Sequence, residues 1–141
     1  MLEIRQKTLL CQCSNFINAS MVGKYIELTK GFHALVDADD FERLNKYKWY
    51  ATINPDGRPG KNSVMKVYAR RTTKRKTSIY MHREILGCRG RHDIGDHING
   101  YDLDNRKENL RITDYSTNVS NKTKVKLTAE IRACYPKNWF D

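Results

Sequence analysis

A small α+β protein, built from short antiparallel strands and a few short helices, is the fold this sequence predicts. Three observations lead there. Apolar and polar residues alternate in short runs, the period of half-buried strands. Helical spacing appears only in brief windows. Turn pairs such as Lys30-Gly31, Asp56-Gly57 and Asn99-Gly100 separate the runs. With 141 residues, 30% of them charged, and a mean hydropathy of −0.75, the chain can bury one modest core, as one domain or two small ones sharing an interface.

The elements follow in order. Residues 1–22 lack clean periodicity and are expected to form a poorly ordered leader. Tyr25-Ile26-Glu27-Leu28-Thr29 alternates as a strand, Lys30-Gly31 turns, and Phe32-His33-Ala34-Leu35-Val36 returns as a second. Asp37 or Asp39 is placed to cap a short helix over 40–46, with Phe41 and Leu44 on its buried face. Residues 48–53 are a third strand and 54–60, rich in Pro and Gly, a loop. The fourth strand, 64–72, has an informative parity: Met65, Val67 and Ala69 share one face, Lys66, Tyr68 and Arg70 the other. Residues 78–86 begin as strand and become a short helix that Gly87 stops. A hairpin follows, 92–98 and 109–112, around a long loop at 99–108. Thr113 or Asp114 then caps a helix through Asn118 to about residue 122, and 127–134 form a last one before Pro136. The predicted organisation is a leader (1–22), a sheet-and-helix module (23–78), a second unit (79–123) and a tail or short helix (124–141).

The net charge of +10 is local. Between Arg58 and Arg91, eleven Lys and Arg stand against one acid, Glu84; the rest of the chain balances at fifteen and fifteen. That window is the electrostatic footprint of a polyanion partner. It lacks the apolar helical face that an anionic membrane surface would need. No apolar run approaches the ~18 residues of a membrane span. The first 21 residues lack the apolar core and cleavage site of a secretion signal, so a cytoplasmic location is expected. Cys11, Cys13, Cys88 and Cys134 match no zinc spacing, so no structural zinc is expected and the thiols are read as reduced.

The chemistry concentrates in Ile94-Gly95-Asp96-His97-Ile98-Asn99-Gly100, continued by Asp104-Asn105-Arg106-Lys107-Glu108-Asn109-Leu110-Arg111 and closed by Asn118. Phosphodiester hydrolysis needs an activated water, charge stabilisation at the phosphate, and release of the 3′ oxygen. A hard divalent cation on oxygen ligands serves the last two; a neutral histidine serves the first. Asp96 and Asn118 offer the oxygens and His97 the base. Neighbours in a regular strand face opposite ways, so Asp96 and His97 share a pocket only through a local irregularity, which the Asn99-Gly100 break could supply. Asn109, at the foot of the loop, is placed to bond loop backbone and support the histidine. Asp102-x-Asp104 begins like a calcium loop, but Arg106 stands at the next ligand position and excludes it. Each fragment alone is ordinary, since Asn-Gly and Asp-Asn are common turn residues.

Together, from Met81-His82-Arg83 through Asp96-His97 and Asn109 to Asn118, these residues resemble the HNH endonucleases of ββα-metal fold, nearest their phage- and intron-encoded homing-type branch. The resemblance covers roughly residues 79–122, and the steps of twelve residues from His97 to Asn109 and nine to Asn118 fit it. It implies His97 as general base, Asp96 and Asn118 as metal ligands, Asn109 as the structural asparagine, and His82 in a supporting or phosphate-neighbour role. It further implies Mg²⁺, Mn²⁺ or another divalent cation, one per active site, acting on double-stranded DNA in a bacterial host cell. Residues 24–76 more loosely resemble the Apetala-like modules that precede such nucleases, on Ala34-Leu35-Val36-Asp37 and Lys48-Trp49-Tyr50. The expected DNA contacts are Lys66, Tyr68, Arg70, Arg71, Lys74, Arg75 and Lys76, with Arg106 and Arg111 reaching phosphates or, for Arg106, pairing with a loop acid. The expected architecture is thus a small antiparallel sheet-plus-helix module followed by a ββα-metal nuclease motif. One departure is that only about twenty residues follow the motif, where homing-type relatives often continue into helical DNA-binding modules. The alternatives are a DNA-binding protein with an idle HNH motif, or a restriction- or packaging-type nuclease. Monomer and homodimer both stay open; a monomer would nick one strand.

Overall fold

The alternation in the first runs becomes a hairpin. β1 (Gly23–Glu27) and β2 (His33–Asp37) pair antiparallel with Ile26 opposite Ala34, around a turn in which Lys30 and Gly31 take positive φ. The computed structural model describes residues 22–54, 66–114, 116 and 126–140. All but the last residue of the expected leader, most of the 54–60 loop, and the helix carrying Asn118 except Ser116 lie outside these. β2 is buried at Ala34, Leu35, Val36 and Asp37, because its second edge is also occupied. Leu35 donates its N–H to the Leu103 carbonyl (2.9 Å) and accepts from the Asn105 N–H (2.7 Å), so the chain at Asp104 runs parallel beside it.

α1 (Ala38–Leu44) follows directly. Asp37 occupies its N-cap position, but the carboxylate accepts the Lys107 N–H at 2.8 Å instead of capping the helix. Leu44 is buried and Phe41 packs partly against the core, with Asp40 turned inward beside them. The Trp49 indole N–H closes the segment on the Leu44 carbonyl at 2.8 Å.

β3 (Tyr50–Asn54), β4 (Lys66–Thr72) and β5 (Ser78–Tyr80) form an antiparallel sheet. Its inner face carries Ala51, Val67 and Ala69. Its outer face carries Tyr50, Arg70 and Tyr80 in one row and Thr52 with Tyr68 in the next. α2 (Met81–Leu86) ends at Gly87, whose φ of 70° suits a residue without Cβ and whose N–H bonds the Arg83 and Glu84 carbonyls. β6 (Ile94–His97) and β7 (Leu110–Thr113) make the last hairpin. α3 (Ala129–Arg132) is capped by the Thr128 side chain, which accepts from Ile131 N.

The described molecule is therefore mixed α+β, with small antiparallel sheets and short helices. One hydrophobic cluster joins Ile26, Phe32, Leu35, Trp49, Met81, Leu103 and Cys134. The module, the second unit and the tail expected from the sequence all contribute to it, so they share an interior. Each such large side chain stabilises the fold by about 1.5–3 kcal/mol. Phe32 meets Trp139 edge-on at 5.0 Å, and His33 N–H donates to the Cys134 carbonyl, seating the C-terminal turn under the first hairpin. Among the described residues no helix is long and apolar enough to cross a membrane.

Candidate active site

Asp96 and His97 leave β6 on opposite faces. Asp96 stands across from Arg111 on β7, and its Oδ2 accepts from both Arg111 Nε (2.9 Å) and Nη2 (2.8 Å). Its Oδ1 has no hydrogen-bond partner among the described residues. His97 is paired with Leu110, and its ring is buried on the other side, 7% exposed. The irregularity expected to bring the two together comes too late, because β6 stays regular through His97 and the turn begins at Ile98. His97 Nε2 lies 2.9 Å from Asn105 Oδ1. Its Nδ1 lies 3.7 Å from Asp102 Oδ1, beyond hydrogen-bond length.

Asn109 clamps the loop between the strands. Its Oδ1 accepts the Asn99 N–H (2.9 Å) and its Nδ2 donates to the Asp104 carbonyl (2.8 Å), tying the start and the middle of the excursion to one side chain at its far end. Asp104 is fully buried and held by Arg106, Nε on Oδ1 and Nη2 on Oδ2, both at 2.8 Å. Arg106 also reaches Glu108 and Glu130 at 3.2 Å, and its bond to Asp104 pushes its pKa above the usual arginine range. Arg106 thus pairs with a loop acid rather than standing free for a phosphate. The same fork engages both oxygens of Asp104, the carboxylate that a calcium loop would need as a ligand.

His82 forms a wall of the His97 pocket. Their ring centroids lie 4.9 Å apart, and burial, then His97, then Arg83, hold His82 down to a pKa of about 3. The ring is neutral at any ordinary pH and is no cationic neighbour for phosphate. Gly95 makes the approach possible, since a Cβ there would sit 2.6 Å from His82 Cδ2. Beyond His82 the rings continue: Tyr80 at 5.8 Å and Tyr68 at 6.1 Å, themselves 5.7 Å apart. A chain of aromatic contacts therefore runs from the outer face of the β3–β4–β5 sheet to His97.

Lys66, Tyr68 and Arg70 do share that outer face, and Lys74, Arg75 and Lys76 are exposed in the β4–β5 turn. None of these cations has an acid partner among the described residues. Arg71 departs from expectation. It falls on the inner side with Val67 and Ala69, gives Nε and Nη2 to Glu84 (3.0 and 3.2 Å), and stacks over Tyr47 at 4.0 Å. The bond to Glu84 raises its pKa, and its role is structural.

Two groups escaped the sequence reading. Arg83 donates to the Asp93 and Gly90 carbonyls while Asp93 Oδ2 accepts from the Arg89 and Gly90 N–H groups, so the 88–93 loop that displays Arg89, Arg91 and His92 is tied at both ends. These backbone bonds, Gly90 first, hold the Asp93 carboxyl below the usual range. Of the two residues flanking the His97 ring, Asn105 looked like an ordinary turn residue and Asp102 drew notice only as part of a rejected calcium loop. Asn118 lies outside the described residues, although Asp114 accepts from Ser116 Oγ (2.8 Å) where its helix would begin. Among the described residues no three His, Cys, Asp or Glu side chains converge as a metal site.

Comparison with protein-family models, curated proteins and solved structures finds no match to this chain.

Proposed function

We propose that the protein is a metal-dependent HNH-type endonuclease hydrolysing phosphodiester bonds of double-stranded DNA, with β6, the clamped loop and β7 as the two-strand part of a ββα-metal motif. One observation carries the reading: the ring chain Tyr68–Tyr80–His82–His97 joins the cation-bearing sheet face to the candidate base. DNA held by Lys66, Lys74, Arg75 and Lys76 would lie on the face from which the ring chain leads inward to His97, and such binding weakens steeply with salt. The setting that this implies is a homing-type enzyme in the cytoplasm of a bacterial host.

In this reading His97 takes the proton of the attacking water as its oxygen bonds to phosphorus. The bond to the 3′ oxygen breaks on the opposite side. Mg²⁺ or Mn²⁺, one per site, supplies charge stabilisation at the phosphate and the leaving oxygen when bound. Oδ1 of Asp96, left by Arg111, has the hard-oxygen chemistry that such an ion prefers, and Asn118 is assigned as the second ligand. A magnesium-like ion that keeps several waters needs little more from protein. Asn109 holds the loop beside His97, and neutral His82 shields one side of the imidazole from water.

A DNA-binding protein with an idle motif is the rival. It is favoured by the divergence of Asp96 and His97 and by the ion pair that already occupies Asp96. A supercoiled-plasmid assay in Mg²⁺, Mn²⁺ and EDTA, beside His97→Ala, separates the two. Metal-dependent conversion to open-circle or linear DNA, reduced at least ~10²-fold in the variant with gel-shift affinity unchanged, is expected. Wild-type protein that shifts the plasmid but never cuts it in any metal would establish the rival.

A further inference from the structure

We propose that Asn105 is a positioning residue that sets the tautomer of His97, keeping the hydrogen on Nε2 and the lone pair on Nδ1. Asn105 is 1% exposed, and its backbone is anchored by the N–H bond to Leu35 of β2. The side-chain amide spans two groups of different character. Nδ2 faces the thioether sulfur of Met81 at 3.6 Å, and Oδ1 faces His97 Nε2 at 2.9 Å. A thioether only accepts, so the amide nitrogen belongs on the Met81 side; the reverse orientation would set oxygen against sulfur. The amide oxygen also only accepts, so the group it meets on His97 must be N–H.

In a neutral imidazole the other nitrogen then carries the lone pair. Asp102, whose carboxylate could only accept and would favour a hydrogen on Nδ1, stays 3.7 Å from it, beyond hydrogen-bond length, and no donor is bonded to Nδ1 among the described residues. His82 packs its ring against the imidazole and offers no hydrogen bond that would compete. The geometry therefore names Nδ1 as the nitrogen able to accept a proton. It also gives Asn105 a job that the sequence read as turn-making. Only the kinetic consequence rests on the nuclease reading; the tautomer does not.

The test is a long-range ¹H–¹⁵N spectrum of the ¹⁵N-histidine-labelled protein at alkaline pH, with His97 assigned by its loss in His97→Gln. The expected wild-type pattern is Nε2–H with unprotonated Nδ1; an Nδ1–H pattern overturns the proposal. Asn105→Asp keeps an acceptor and should preserve Nε2–H. Asn105→Leu removes it and should yield a mixture or the opposite form; a pure Nε2–H pattern there also overturns the proposal. If Asn105→Leu does not fold, the wild-type and Asn105→Asp spectra decide. In plasmid cleavage Asn105→Leu should lose about 10–100-fold in rate at unchanged DNA affinity, with Asn105→Asp restoring most of it. The expected tautomers in a wild type that cuts nothing would uphold Asn105's role and sink the nuclease reading alone.

Discussion

The outer face of the β3–β4–β5 sheet and the β6–β7 hairpin both carry cations, and they use them in opposite ways. Lys66, Lys74, Arg75 and Lys76 meet no acid among the described residues. Arg106 and Arg111 in the hairpin are forked onto Asp104 and Asp96, and Arg71, on the inner side of the sheet itself, onto Glu84. A count of basic residues overstates the surface available to a polyanion, because a guanidinium with a carboxylate at hydrogen-bond distance is already part of the fold. Availability follows from strand parity and from where the acids lie.

The largest effect that would test this contrast is on stability. Arg106→Ala strands the buried Asp104 carboxylate and should cost about 3–5 kcal/mol by denaturant unfolding. A change near zero would mean that Arg106 is as available as the sheet lysines. Gly95→Ala drives a Cβ into His82 and should cost about 1–3 kcal/mol, with the His82 and His97 resonances both displaced. Acid should act through the same wall. His82 is held at about 3 when folded but titrates near 6.5 when unfolded, so between these values only the unfolded chain takes up the proton. Stability is then full above pH 6.5 and falls as pH drops toward 3, by at most about 1.4 kcal/mol per unit. Thermal melts of wild type and His82→Gln should diverge in that window and run parallel above it. The smallest effect is in binding: replacing Lys74, Arg75 and Lys76 with Ala should flatten the salt dependence of DNA affinity by ~0.9 per lost phosphate contact, whereas Arg71→Ala should leave that slope alone.

Much of the scaffold was legible because it is local. The alternation of β4 fixed its two faces, and Gly87 announced the end of α2. The same alternation held the answer for Arg71, which shares parity with Val67 and Ala69 and whose basic neighbours obscured it. Asp37 looked like a cap and instead bonds the Lys107 N–H, a partner that no local rule points to. The candidate site was legible as a set of residue types but not as geometry. The face on which His97 leaves β6 depends on where the turn begins, and a one-residue difference decides it. Asn105 was unreadable for a different reason: Tyr101-Asp102-Leu103-Asp104-Asn105 is too short a run to place itself, and the strand that orders it lies far upstream.

That strand has a consequence for how the molecule assembles. Leu35 offers its backbone to Leu103 and Asn105, about seventy residues further on. The contact closes a long loop, whose entropic cost must be met before the bonds reward it. The β6–β7 pairing joins residues close in sequence, but the segment flanking its histidine takes its shape against the first hairpin. The His97 surroundings therefore depend on the first hairpin, and a chain that opens there loses the backbone bonds that order Asn105.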